Sequence, residues 1–501
     1  MGMQRLSTTA DWPLYDNASI RRLETLAQKH SPSSLMQQAG LAAAQLACAV
    51  APHAQRIWVA AGPGHNGGDG LEAATHLHQW GKSVMVSLMG EASALPKEAF
   101  LAWQRAMSAG VPFSDGLPSA WIAGMHSQHL AIDALLGIGA TRPLHGPMLE
   151  AVHALNRCAA QVLAIDLPTG LNPESGQTLS DEKQSKGPPS VVRADHTLSF
   201  VAAKPGLFMG HGRDACGQIW LASLGSEGLA RHIPEQARLN PLHPSPSKNH
   251  ASHKGSFGDV AIVGGEPMAL HGTGMVGAAV LAATAALHAG PGRVILCLLS
   301  GHASDAVLPD LMQRQWHSLA LEDLHVVCGC GGGQAVRPLL SEILRRSAQL
   351  VLDADGLNAL ALDPALQQGL KQRAAQQASV ITPHPLEAAR LLNTSTRQVQ
   401  NDRLGAAQAL VALFDCTVVL KGSGTVIAAP GQTPRINPSG NGLLAIGGTG
   451  DVLAGLIGAR MAQGLGAFEA ACAAVSQHGH AADVWPQDQA LTASRLARSL
   501  F

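Results

Sequence analysis

The chain has 501 residues, a formal net charge of −1 with histidine neutral, and only 14% charged and 3% aromatic residues against abundant glycine and alanine. That length suggests two domains, and the small residues suit close helix–sheet packing in α/β folds. A near-zero charge excludes an electrostatic case for nucleic acid or membrane partners.

In chain order, Arg56 to Ala61, Ser83 to Met89, Leu130 to Ala134 and Val162 to Ile165 read as buried strands, with helices over 69–80 and 148–157. The run from Gly62 to Gly70 follows a strand and precedes a helix, the setting in which backbone N–H groups hold phosphate or pyrophosphate. Two later strands end in Asp133 and Asp166, each next to a glycine turn. Either aspartate can cap its turn, but repetition beside the glycine loop marks the ligand edge of a sheet. Asn66, Asp133 and Thr169 are oxygen donors with one formal charge, a set that suits an alkali cation better than zinc.

Between Arg231 and Lys254, Pro234, Pro241, Pro244 and Pro246 alternate with Ser, His and Asn, and apolar periodicity stops. This predicts a linker over 231–250 between domains at 1–230 and 251–501. Beyond it, strands are expected at 259–263, 293–299, 326–328, 350–352, 379–381 and 417–420. Helices are expected over 275–289, 335–347, 386–392, 397–413 and 451–461. The stretch 275–299 is interrupted by His288, Pro291 and Arg293, so no membrane span is expected. Cys328 and Cys330 read as small packing residues near a ligand. The other cysteines fall mostly in apolar runs, as in a reducing compartment, and the N-terminus has no signal-peptide core. A soluble cytoplasmic enzyme is expected.

The last segment is the most informative. Gly447, Gly448 and Gly450 precede an apolar helix, leaving N–H groups bare where the helix dipole favours an anion. Asp451 follows at once. A carboxylate beside a bound phosphate needs another task, such as taking the proton from an attacking hydroxyl. Lys421 and Thr425 stand at the mouth of a glycine turn, and strand ends carry Asp353 and the Thr382-Pro-His384-Pro turn.

Together these residues resemble the bifunctional NAD(P)H-hydrate repair family, in which an N-terminal epimerase is fused to an ADP- or ATP-dependent dehydratase. The resemblance implies a Rossmann-like three-layer α/β domain followed by a ribokinase-like α/β domain. His65-Asn-Gly-Gly-Asp69 matches the family's hydrate-binding element, with His65 in place of its first Asn, and implies that Asn66, Gly67, Gly68 and Asp69 meet substrate. The family's substrate loop falls on Gly137, Ile138, Gly139, Ala140, Thr141, Arg142 and Pro143. Asp166 is implied as a further substrate ligand, and Asn66, Asp133 and Thr169 as ligands of K+. Lys204 lies in a segment similar to the family's later lysine–glycine turn.

In the second half, Ala278, Gly331, His384 and Asp451 are implied to face the hydrate, with Leu386 standing where the family usually has glycine. Lys421, Gly422, Ser423, Gly424, Thr425 and Gly450 are implied to bind the adenine nucleotide. Met268 to Gly274 departs from the pattern. The implied cofactors are K+ in the first domain and Mg2+ with ADP or ATP in the second. NADHX and NADPHX are the implied substrates, and a homo-oligomer is expected. In this reading Asp451 is the base of a phosphoryl transfer that makes hydroxide a leaving group, Asp166 is an acid–base group for epimerisation, and Asp353 or Glu387 is a candidate to help position Mg2+. The competing reading is a ribokinase-like vitamin or sugar kinase fused to a non-catalytic binding module.

Overall fold

The computed structural model describes residues 2–179, 190–244, 247–268, 274–299 and 308–500. Pro246 of the expected linker and residues 269–273 of the divergent stretch lie outside the described residues. The chain divides into two compact units: Met1–Ser7 with Trp12–Ala237, and Thr8–Asp11 with Arg238–Phe501.

The first unit is built on an eight-stranded sheet in the order Met3–Arg5, Gln218–Ala222, His196–Phe200, Gln161–Ile165, Leu130–Ala134, Arg56–Ala61, Ser83–Leu88, Phe113–Ser114. All neighbours are parallel except the first pair. Side chains alternate between faces. Ile57, Val59 and Ala61 join one core, with Leu23, Ala43, Leu71 and Ala102 from covering helices. Trp58 and Ala60 join another, with Ala151 and Leu155. Both faces are therefore covered, as parallel sheets require.

The second unit's sheet runs Met312–Gln313, Arg293–Leu298, Asp259–Gly264, His325–Cys328, Gln349–Leu352, Ser379–Ile381, Thr417–Leu420, Val426–Ala428, Arg435–Ile436, Ala237–Leu239. It is parallel as far as Thr417–Leu420, after which two antiparallel pairings follow. Helices Val276–Ala289, Thr449–Ala462, Ala467–Asp483 and Ala493–Arg498 share one core with Val260, Ile262 and Val327.

The predicted strands stand to within a residue of their expected ends, but three predicted helices differ. The helix expected at 69–80 is His65–Gln79, so the glycine motif is helical from His65 onward. The helix expected over 397–413 is two, Thr396–Asn401 and Arg403–Phe414. Asp402 separates them because its carboxylate accepts from Gly405 N at 2.8 Å, capping the second. The helix expected over 335–347 shrinks to Leu340–Arg346 behind a 3-10 turn that contains Pro338. Part of the expected linker is also ordered: Arg238 and Leu239 pair with Arg435 and Ile436, and Asp11 accepts from both arginines at 2.7 and 2.6 Å.

Close helix contact sets the second unit's geometry. Gly455 of helix Thr449–Ala462 lies so near helix Val276–Ala289 that a Cβ there would sit 2.0 Å from the Ala282 carbonyl oxygen. Backbone cannot yield as a side chain can. Gly455→Ala should therefore destabilise the second unit by about 1–3 kcal/mol or more, the scale of core overpacking. Thermal melting reads this as a lowered transition; an unchanged melt would contradict the packing.

Candidate functional site

In the first unit the parallel run begins centrally at Arg56–Ala61, steps outward twice, then returns to Leu130–Ala134 on the other side. Loops leave these two carboxyl ends in opposite directions, and such a switch point opens a crevice. A cavity of about 560 Å³ lies there. His65, Asn66, Asp69, Gly137, Ile138, Gly139, Ala140 and Asp166 line it. Gly67, Gly68, Thr141, Arg142 and Pro143 do not. Gly67 and Gly68 are packing positions instead. Added Cβ atoms would meet the Gly62 carbonyl oxygen at 1.8 Å and the Met36 sulfur at 2.6 Å. Thr141 and Arg142 are exposed.

Asp133, Thr169 and Asn66 are all buried at this edge. The Asp133 carboxylate accepts from Thr169 Oγ1 at 2.7 Å, Thr169 N at 2.8 Å and Leu135 N at 3.2 Å. Burial raises its pKa to about 6 against these bonds, which lower it. The Asn66 amide has neither its nitrogen nor its oxygen partnered. A buried amide left bare is costly and marks a place where a ligand supplies the partner. Gly137 separates Asn66 from Asp166; a Cβ there would come within 2.7 Å of Asp166 Oδ2.

Asp166 adopts a left-handed backbone, φ 68°, at its strand end. Its carboxylate accepts from Lys204 Nζ at 2.6 Å and Ile138 N at 3.1 Å. Lys204 is fully buried and also donates to Ser199 Oγ at 2.9 Å and to the Phe200 carbonyl at 3.1 Å. Asp69 is pushed well above the ordinary carboxylate range, chiefly by burial and then by Asp166, Glu24, Glu72 and Glu98. Glu24 is raised by burial and by Asp166. Glu24 and Glu98 line the cavity but were missed in the sequence, having no strand end or glycine loop beside them. The usable signal was helical spacing: Ile20, Leu23 and Ala27 bury one face of Asn17–His30, leaving Glu24 at the site.

The second unit repeats this logic. After strand Ala237–Leu239 the chain runs through Asp259–Gly264, steps outward, and returns to His325–Cys328, and the chemistry gathers beyond those carboxyl ends. Helix Thr449–Ala462 begins after Gly448, φ 94°, with no side chain capping it. Asp451 lies in its first turn. Cys330 Sγ and carboxylate oxygens of Asp353 and Asp451 fall within 4.8 Å of one another. Asp353 is buried and accepts from Lys421 Nζ at 2.6 Å and Thr382 Oγ1 at 2.7 Å. Lys421 also reaches the helix start, for a Cβ on Gly450 would lie 3.4 Å from its Nζ.

Burial, then Asp353, pushes Asp451 up to about 6 against a Cys330 hydrogen bond and Lys421. Burial works to lower the Lys421 pKa, but Asp353 and Glu387 outweigh it and hold the ammonium charged. His384 caps helix Pro385–Leu391, its Nδ1 accepting from Leu386 N at 3.1 Å, while Glu387 accepts from His384 N at 2.8 Å. Burial raises Glu387 to about 7. Gly331 and Ala278 are brought together: a Cβ on the first would lie 2.9 Å from that of the second. Gly422 and Ser423 are exposed at the turn, and Thr425 Oγ1 closes it by donating to the Gly422 carbonyl at 3.0 Å.

Two family models match separate parts of the chain: the YjeF-related protein N-terminus over residues 32–206 and NAD(P)H-hydrate dehydratase over 263–501. The bifunctional NAD(P)H-hydrate repair enzyme Nnr of Escherichia coli (strain K12) is 36% identical over 90% of this chain and 84% of its own length. The Coxiella burnetii enzyme of the same name is 35% identical over 94% of each chain. The ADP-dependent (S)-NAD(P)H-hydrate dehydratase of Neisseria meningitidis serogroup B is 42% identical over 54% of this chain and 91% of its own. Among solved structures, an ADP/ATP-dependent NAD(P)H-hydrate dehydratase from Bacillus subtilis, co-crystallised with ATP/Mg2+, is 29% identical over 51% of this chain and 91% of that one, with a TM-score of 0.42. Among the described residues, no helix is long and apolar enough to cross a membrane. With both halves matched in order and full-length relatives above 30% identity, the chain belongs to the family of bifunctional NAD(P)H-hydrate repair enzymes.

Proposed function

We propose that the chain repairs hydrated nicotinamide cofactors, the first unit interconverting the R and S hydrates and the second dehydrating the S form with ADP or ATP. The observation that carries this reading is the meeting of Asp451, Asp353 and Lys421 beside an uncapped glycine helix start. A helix N-terminus with a lysine holds phosphate, while a carboxylate there is placed to take a hydroxyl proton.

In the second unit Asp451 removes the proton of the ring hydroxyl as that oxygen takes the terminal phosphoryl group of the nucleotide. Lys421 and the N–H groups of the first helical turn carry the charge that develops on the phosphoryl oxygens. The C–O bond then breaks, the phosphate leaving with the electron pair while the ring nitrogen supplies its own. Loss of the neighbouring ring proton restores the double bond. Asp353 is already engaged by Lys421 and Thr382, and Glu387 by His384. Asp353 and Glu387 are the nearby carboxylates that would position a magnesium ion brought in with the nucleotide, and the ion would neutralise charge on the phosphates. A kinase would share everything up to the transfer; recovery of the nicotinamide chromophore separates the two.

In the first unit Lys204 fixes the Asp166 carboxylate in place, set to exchange a proton with the hydrated ring. The unpartnered Asn66 amide, with Asp133 and Thr169, fits K+: oxygen donors, one carboxylate, and a buried carbonyl oxygen lacking a partner. The ion would order the glycine loop and take no part in proton transfer. All eight cysteines are free thiols, which suits a reducing cytoplasm.

Asp451→Asn should lower the dehydration kcat by about 10³-fold or more, the scale for losing an essential base, while ADP still binds. In the wild type, Asp451 works only when deprotonated, so kcat/KM for dehydration should rise as pH climbs through about 6 and level off above. Near-normal single turnover by the variant would remove Asp451 from this role.

Asp166→Asn in the full chain should leave S-hydrate dehydration intact and strand the R hydrate. Supplying both epimers with ADP and following each by chromatography tests this; clearance of both at the wild-type rate would dismiss the first unit's role.

Epimerisation should depend on K+ over Na+, and Asp133→Ala should weaken it and abolish the cation preference without touching dehydration. Measuring R-to-S conversion in each salt decides between an ion site and a purely structural Asp133, which would lower the melting temperature with no cation dependence.

A further inference from the structure

The segment Lys421 to Thr425 rests on a residue that neither its sequence nor the proposed chemistry singles out. Arg403 opens helix Arg403–Phe414 and is only 2% exposed. Its Nη2 donates to the carbonyls of Leu420 at 3.1 Å, Lys421 at 3.2 Å and Gly424 at 3.4 Å. Its Nη1 donates to Gln400 Oε1 at 2.8 Å, and Nε has no partner. A Cβ on Gly422, φ 139°, would lie 2.9 Å from Nη1, so the turn lies directly on the guanidinium.

Three carbonyls aimed at one buried cation are not what a strand end needs for itself. Among the described residues no carboxylate pairs with Arg403, and its charge is met by three main-chain carbonyls and the Gln400 side-chain amide. Burial lowers its pKa to about 10, which still leaves it charged at neutral pH. Burying an unpaired guanidinium is costly and makes little sense as a stabilising device. It does two things for the turn. It fixes the carbonyls of Leu420, Lys421 and Gly424 inward beneath the exposed Gly422 and Ser423, and it places positive potential under a surface that would meet a polyanion.

We propose that Arg403 is the positioning residue of the nucleotide site: it holds the Lys421–Thr425 turn in its binding shape and thereby sets affinity for the adenine nucleotide, not for the hydrate. This rests on the nucleotide-dependent reading of the second unit.

The test uses the full chain with Arg403→Lys, Arg403→Ala and Gly422→Ala, the last pressing on the same contact from the turn. ADP affinity is measured by calorimetry, KM by steady-state dehydration, and integrity by melting and by epimerase activity. The ADP Kd should weaken by about tenfold or more in all three, with the hydrate KM moving less than about twofold. Millimolar guanidinium should restore ADP affinity to Arg403→Ala, and ammonium should not. Folded variants that bind ADP within about twofold of wild type would overturn the assignment, as would ADP and hydrate affinities weakening together. If wild type itself binds no ADP, the functional reading fails; if wild type binds ADP and the variants match it, only the role of Arg403 fails.

Discussion

A carboxylate withdrawn from water at the end of a parallel strand must be paired or hydrogen-bonded, and both sites are organised by how that demand is met. In the second unit Lys421 answers Asp353 and thereby stands beside Asp451. In the first, Lys204 answers Asp166, and Thr169 with Leu135 answers Asp133. Removing one partner of such a buried pair leaves an uncompensated charge, at a cost of about 3–5 kcal/mol. Each site is therefore also a point on which its strand ends depend.

The pairs differ in consequence. Lys204 is spent on Asp166, Ser199 and a carbonyl and is itself fully buried, so its part is to hold the Asp166 side chain at the cavity edge. Lys421 is tied to Asp353 yet lies against the glycine helix start, where it is also available to an incoming anion. Asp451 has no lysine of its own. It is raised towards neutrality by burial and by Asp353, which suits a base that must give its proton back after each turnover.

Small residues make these arrangements possible. A side chain at Gly137 would run into Asp166 and Asn66, and one at Gly331 into Met275 and Ala278. The abundance of glycine and alanine is thus tied to the sites as much as to the core. The unpartnered amide of Asn66 is the converse feature, a polar group buried without an internal answer.

The residues at strand ends could be read in the chain because apolar runs stopping at Asp133, Asp166, Asp353 and Lys421 are local patterns, and periodicity of two followed by glycine needs no partner to be visible. The α/β class, the two-part organisation and the glycine start before Asp451 were legible for the same reason. What tertiary structure alone decided was convergence. Gly67 and Gly68 sit in a motif that reads as a ligand loop, yet in helix His65–Gln79 they are packed against the Gly62 backbone and against Met36 and Ala99 of neighbouring helices. Glu24 and Glu98 reach the cavity from helices far from any motif. Arg403 lies beneath the Lys421–Thr425 turn because Asp402 breaks one predicted helix into two and aims the second. Charge pairing across dozens of residues depends on strand order, and strand order is set by which faces can be covered together, a property no local stretch of chain contains.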